Sequence, residues 1–389
     1  MDYAEKTAGL CVFNVKDDPL IKAFGLLGKG TAQESAQAYS AVCYELLMSG
    51  KTLGGYLHDM IVYSDSPLAA KTAAEPTSLR LAAAQHDTAV IAELARTDSA
   101  ALRKELSALY DDSFMNLPAF ETGEFSYAAE YFLDFLKTHG NGVFAAYKAF
   151  TYTDGALMPV EQLDPIRLSD LKNYETQRSQ VVDNTLCFLS GKPAQNVLLY
   201  GDRGTGKSST VKAILNEYDA LRMVELSKND IAGLPALFRT LKDIPLHFII
   251  TIDDLSFGEN DDRFSILKAA LEGSLAARPA NILIYATTNR RKIIRETVAD
   301  REINGADAID ESLSLADRFG LTVTFTKPNR EVYLDIAAQL AADRGIALPE
   351  EELTAAAERF ALKRGGRSPR TARQFADWLC GRIELGLDY

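Results

Sequence analysis

Hydrophobic and polar positions follow a helical period through about the first 150 residues. Thr31-Ala32-Gln33-Glu34 has the form of a capping box, in which the Thr hydroxyl meets an orphan backbone N–H and the Glu reaches back. Behind it Ala32, Tyr39, Val42, Cys43, Leu46 and Leu47 recur near helical spacing, and Ser49-Gly50 ends the run. Similar patterns cover 53–63, 78–95, 98–110 and 126–137. The last carries Tyr127, Tyr131, Phe132 and Phe135, a set that fits a helix-bundle core first and a partner groove second. Asp154-Gly155, Pro159 and Pro165 then punctuate residues 151–165, which read as a linker. Beyond them the pattern changes. Asn196–Tyr200, Leu221–Leu226, His247–Ile252, Asn281–Ala286 and Thr322–Thr326 are short apolar runs separated by helical ones. Strands this apolar, alternating with helices, predict a parallel sheet covered on both faces. From Asn329 the pattern is helical again. The expected organisation is a mainly helical domain (1–150), a linker (151–165), an α/β core (166–327) and a helical lid (328–389).

Composition narrows the class. A chain of 389 residues, 47% hydrophobic and 25% charged, suits two or three soluble globular domains. No apolar run approaches the ~20 residues of a membrane-spanning helix. The first ten residues are acidic where a signal peptide is basic, so a cytoplasmic protein without membrane contact is expected. Cys11, Cys43, Cys187 and Cys380 form no CxxC pair and no zinc-like spacing with His58, His86, His139 or His247. They read as reduced, mostly buried thiols. The net charge is −12. Such a balance weighs against duplex binding, which draws most of its affinity from phosphate neutralisation.

Three strand ends carry chemistry. The first is Gly201-Asp202-Arg203-Gly204-Thr205-Gly206-Lys207-Ser208, a full GxxxxGK[ST] match between an apolar strand and a helix that starts at about Ser209. Glycines let such a loop curl its N–H groups inward, and the helix N-terminus adds positive potential, which together suit phosphate. Lys207 is then placed for β- and γ-phosphates and Ser208 for Mg²⁺. The second is the strand ending in Asp253-Asp254. Asp253 is the candidate to share Mg²⁺ with Ser208, and Asp254 to polarise an attacking water; solvated acids at a strand end are the plainer alternative. The third is Ala286-Thr287-Thr288-Asn289, where Asn289 either holds that water or simply forms a turn.

With Asp317-Arg318-Phe319-Gly320 and Ser368-Pro369-Arg370 following in order, the chain resembles AAA+ ATPases. Ile166–Leu171, Leu267–Pro279, Ala286–Arg291 and Ser314–Gly320 are similar, more narrowly, to the bacterial AAA+ family catalogued as domain of unknown function 815. The resemblance covers residues 150–389 well and the N-terminal part loosely. It implies a five-stranded parallel sheet, a helical lid, ATP with Mg²⁺ between them, and sites often completed between subunits of a homo-oligomer. It places Asn289 at sensor 1, Arg318 in the arginine-finger region, Arg370 at sensor 2 and Ile166–Leu171 along the adenine pocket. The sequence departs from the family pattern in three ways. Asp254 stands where most such enzymes have Glu. Leu315-Ala316 replaces a further Arg, leaving finger duty to Arg318, to Arg301 or to neither. Ser227–Asp230 lacks the aromatic-apolar-glycine triplet of polypeptide-threading motors. Two basic clusters, Arg290, Arg291, Lys292 and Arg295, then Lys363, Arg364, Arg367, Arg370 and Arg373, fit nucleotide and subunit contacts better than nucleic acid. The reading is an ATPase that couples nucleotide state to lid movement and to a protein partner at the N-terminal helices. An ATP-gated adaptor or switch with little turnover and a DNA-loading or remodelling ATPase are the alternatives.

Overall fold

The computed structural model describes residues 3–69, 77–257, 261–272, 278–289 and 317–389. It divides into two compact units, Met1–Tyr147 with Asp243–Leu246, and Lys148–Lys242 with His247–Tyr389.

The first unit is helical: α1 (Tyr3–Ala8), α2 (Pro19–Leu26), α3 (Ala32–Ser49), α4 (Leu53–Tyr63), α5 (Ser78–Ala95), α6 (Ser99–Leu109), α7 (Ala129–His139) and α8 (Gly142–Ala146). The capping box of α3 forms as expected: Glu34 N donates to Thr31 Oγ1 at 3.2 Å, and Thr31 N donates to the Glu34 carboxylate at 2.7 Å. Gly50 ends α3 in the left-handed region. Phe24, Tyr39, Leu57, Ile91, Phe114 and Phe132 are buried in one core, while Leu47, expected on the inner face, is 77% exposed. Phe132 thus belongs to the core, and Tyr127 and Phe135 pack against it. The cysteines differ from expectation: all four are free, but only Cys43 is buried, and Cys11 and Cys187 are exposed.

The second unit contains a seven-stranded sheet of order β2-β1-β4-β5-β6-β3-β7. The strands are β1 (Ala149–Thr153), β2 (Ala156–Pro159), β3 (Val197–Gly201), β4 (Leu221–Leu226), β5 (His247–Ile252), β6 (Ile282–Thr288) and β7 (Leu321–Phe325). Five parallel strands, β4-β5-β6-β3-β7, make the set that the resemblance implied. The correction is two more: β1 adds in parallel to β4, and β2 adds antiparallel to β1. These two occupy part of the stretch expected as a linker. Asp154 and Gly155 join them, both at positive φ (51° and 82°), which is the backbone of a tight hairpin turn. All seven residues of β6 are buried, as a strand covered on both faces requires.

Helices α9 (Glu175–Leu189), α10 (Lys207–Glu217), α11 (Leu234–Leu241) and α12 (Asp262–Glu272) accompany the strands. The lid consists of α13 (Arg330–Asp343), α14 (Glu350–Lys363) and α15 (Pro369–Glu384), packed through Tyr333, Ile336, Phe360, Phe375 and Leu379. Inside it Tyr333 Oη donates to Ala357 O at 3.0 Å. None of the helices among the described residues is long and apolar enough to cross a membrane.

Candidate nucleotide site at the sheet edge

The site begins where β3 ends. Gly201 has φ 139°, and a Cβ there would stand 1.9 Å from Phe325 O, so only glycine fits between the loop and β7. Asp202 N donates to that same carbonyl at 3.0 Å, and the Asp202 carboxylate accepts Lys327 N at 2.9 Å. Its charge is thus used to tie the loop to the end of β7. Gly204 (φ 77°) and Gly206 (φ 96°) complete the curl, Thr205 Oγ1 donates to Asp202 O at 2.8 Å, and α10 starts at Lys207.

Lys207 is 5% exposed. Its Nζ donates to Gly201 O (2.9 Å), Asp202 O (2.8 Å) and Asn289 Oδ1 (3.1 Å). Burial pulls its ammonium below the usual lysine range, with Arg370 adding to that pull, while Asp253, Asp202 and Asp254 oppose it. The three carboxylates are therefore what keeps a buried cation tolerable. Ser208 Oγ donates to Asp253 Oδ1 at 2.6 Å. Thr287 Oγ1 donates to the same oxygen and accepts Asp254 N at 3.1 Å, so one hydroxyl from β6 fixes both acids at the end of β5. Asn289 Nδ2 donates to Asp254 Oδ1 at 2.7 Å. Asp254 itself sits at φ 50°, a conformation that costs a non-glycine residue about 1–3 kcal/mol and clusters at functional sites.

The lid closes the other side. Arg370 N donates to Gly204 O at 3.1 Å, and a Cβ on Gly204 would lie 3.3 Å from Arg370 Cβ. A cavity of about 620 Å³ results, lined among others by Gly204–Thr210, both acids, Asn289, Tyr174 and the lid residues Ile336, Leu340 and Arg373. Tyr174 forms part of its wall at φ 64°, donates to Thr326 O at 2.6 Å, and stacks obliquely on Phe325 at 5.4 Å. Burial pushes its phenol up to about 12. Lys172 pairs with Asp343 of α13 at 2.8 Å, joining the Ile166–Leu171 side to the lid.

Most of the sequence-derived candidates therefore converge. Arg203, Gly204, Thr205, Gly206, Lys207, Ser208, Ser209, Leu171, Asp253, Asp254, Asn289 and Arg370 all line the cavity; Gly201 and Asp202 do not, but their carbonyls accept Lys207 Nζ. Ile166 is buried and does not line it; Asn216 Nδ2 holds its carbonyl at 2.7 Å. Arg318 does not line it either. Arg301 and the cluster Arg290–Arg295 lie outside the described residues. In the second basic cluster Arg370 and Arg373 line the cavity, Arg367 pairs with Glu358 at 2.8 Å, and Arg364 lies over the Phe360 ring. Arg373 lay in the basic cluster read as fitting nucleotide contacts, whereas sequence reasoning missed Thr287, Tyr174, Arg178 and the apolar lid wall of Ile336 and Leu340. Thr287 lay inside a quoted motif; the others gave no local signal.

The donor set suits its candidate ligands. Ser208 and Asp253 offer hard oxygen to a divalent cation. Lys207, Arg370 and the loop N–H groups suit phosphate, and the apolar wall beside Tyr174 suits a flat base.

Comparison with known proteins agrees in part. The model of the family described as "Protein of unknown function (DUF815)" matches residues 145–383. Over 198 residues the chain is 26% identical to the replication factor C large subunit of Pyrococcus abyssi, covering 47% of this chain and 39% of that protein. Over 157 residues it is 29% identical to a cell division cycle protein 48 homolog of Archaeoglobus fulgidus, covering 36% and 19%. The chain thus spans well under half the length of these curated relatives. A Thermotoga maritima RuvB structure, titled as a Holliday junction branch migration motor, aligns with TM-score 0.39 at 16% identity over 58% of this chain and 67% of that one.

Proposed function

Because this chain belongs to the family described as protein of unknown function DUF815, with an AAA+ P-loop fold, we propose that it binds ATP with Mg²⁺ and hydrolyses it. The observation that carries this reading is the meeting of Lys207, Ser208, Asp253, Asp254 and Asn289 within one hydrogen-bonded set facing the lid. Lys207 exchanges its loop carbonyls for β- and γ-phosphate oxygens. Ser208 and Asp253 would hold Mg²⁺, which would supply charge neutralisation at the phosphates. Asn289 releases Asp254 and orients the attacking water, and Asp254 polarises it. Arg370 meets the γ-phosphate from the lid with a fork that can bond two oxygens at once. Its backbone bond to Gly204 supports a coupling of phosphate occupancy to lid position. The working form is a homo-oligomer in the cytoplasm, and the N-terminal helices pass the cycle to a protein partner.

A second reading, an ATP-gated adaptor with little turnover, draws support from the Asn289–Asp254 hydrogen bond, which occupies the water-polarising carboxylate. A DNA-loading or remodelling role is a third reading; a salt-sensitive gel shift tests it, and absence of binding at low salt ends it.

Two variants test the site. Lys207→Ala should lose ATP binding in a fluorescent-nucleotide titration, and parent-like affinity would remove the assignment. Asp254→Asn should bind ATP with parent-like affinity and lose turnover by about 10²-fold or more. Hydrolysis at the parent rate in that variant would take Asp254 out of the mechanism.

A further inference from the structure

The helical unit holds a group of side chains that the proposed ATP cycle does not use. Cys11, His86 and Asp87 meet where residues 9–13 cross α5, and one ligand atom from each lies within 4.8 Å of the others. Asp87 is fully buried, whereas Cys11 and His86 are exposed. The two oxygens of the Asp87 carboxylate divide their work. Oδ2 accepts the backbone N–H groups of Cys11, Val12 and Phe13 at 2.9, 2.7 and 3.3 Å. Oδ1 faces Cys11 Sγ at 3.6 Å and His86 Nδ1 at 2.9 Å. A Cβ placed on Gly9 would lie 3.5 Å from His86 Cε1, so the same loop folds closely around the imidazole.

Thiolate, imidazole and carboxylate are the donors that hold zinc, with bonds of about 2.0–2.3 Å. Ligand atoms in such a tetrahedron stand roughly 3.3–3.7 Å apart. The 3.6 Å separation of Sγ from Oδ1 already fits, and the 2.9 Å separation of Nδ1 from Oδ1 opens with a small ring rotation. The three N–H bonds to Oδ2 fix the carboxylate as outer-shell partners fix a metal ligand, while Oδ1 accepts the Cys11 thiol and bonds His86 Nδ1, contacts that a cation held by all three groups would replace. A protein-only hydrogen-bonded clamp, in which the Cys11 thiol donates to Oδ1, is the alternative that the titration below separates from a metal site.

We propose that Cys11, His86 and Asp87 form a zinc-type site that takes one Zn²⁺ through Sγ, an imidazole nitrogen and Oδ1, with water in the fourth position. Binding releases the Cys11 thiol proton to solvent, so the unit gains one positive charge overall. The ion ties residues 9–13 to α5 and makes the stability of this unit depend on metal.

The test is a Co²⁺ titration of the reduced full-length protein, followed optically and then by displacement with Zn²⁺. One Co²⁺ per chain should produce a thiolate-to-metal charge-transfer band that Zn²⁺ abolishes. Cys11→Ser should lose the band, and His86→Ala should weaken affinity by at least the 10–100-fold that loss of an outer-shell partner costs. Both positions are exposed, so both variants should keep the parent far-UV spectrum, and Zn²⁺ should raise the parent's Tm but not that of Cys11→Ser. Absence of the band in the folded parent overturns the proposal. So does a band that persists in Cys11→Ser, which would place the metal on Cys187 or Cys380.

Discussion

Position 201 shows how a single residue can decide a site. Gly201 ends β3 at a φ that L side chains rarely adopt, and its missing Cβ leaves room for Phe325 O. Gly201→Ala must therefore push β7 away from the phosphate loop, or distort the loop. Destabilisation of about 3 kcal/mol or more is expected in urea unfolding, at the upper end of overpacking costs. A loss under ~1 kcal/mol would mean that β7 yields and that the close approach is not required. The same scale shows what a sequence can disclose. Gly201–Ser208 was legible because the loop's chemistry is contiguous along the chain. Thr287 was not, although it lies beside Asn289, because its role arises only when β6 stands in register next to β5 and its hydroxyl meets Asp253. Ile336 and Leu340 reach the cavity from the lid, and nothing local to them predicts it.

Among the elements, α15 has the most to do. Ser368 caps it, accepting Thr371 N at 3.1 Å, and Pro369 follows in the first turn, so the helix starts where Arg370 meets Gly204. Ser368→Ala should cost about 1 kcal/mol of lid stability and weaken ATP binding by about fivefold, with the P-loop itself unchanged. Unchanged affinity in a lid that melts earlier would uncouple the cap from the site. The β1–β2 hairpin marks the limit of element-level reading. Asp154-Gly155 and Pro159 look like punctuation between domains, yet the same Asp-Gly pair supplies the positive-φ turn of a hairpin. Strands this short give almost no alternation, and what fixes β1 is pairing with β4, more than seventy residues away in sequence. The central strands and the capped helices were legible because each carries its own pattern and its own stop signal.

At the scale of the whole molecule, the proposed oligomer gives Arg318 a purpose. It lies in a turn just before β7 and does not line the cavity of its own chain, as a group acting on a neighbour's γ-phosphate would be placed. Arg318→Ala should bind ATP normally and lose about 10³–10⁵ in turnover, the range for a finger acting in trans. Mixing it with Lys207→Ala should restore part of the activity, since each protein supplies what the other lacks. Failure of the mixture to exceed either variant alone would confine the site to one chain. The cluster of Cys11 with His86 and Asp87 belongs to this scale too: a separation of 75 residues hid it from any spacing rule, and only the crossing of a loop over α5 brings the three together.

The central claim is an ATPase whose cavity is built from Lys207, Asp253, Asp254 and the lid. The most direct measurement is ATP turnover by the purified protein across a range of protein concentrations, with Mg²⁺ and then with EDTA. The account predicts turnover that requires Mg²⁺ and a specific activity that rises with concentration as subunits assemble. Tight ATP binding with no turnover at any concentration would contradict it and leave the nucleotide-gated adaptor in its place.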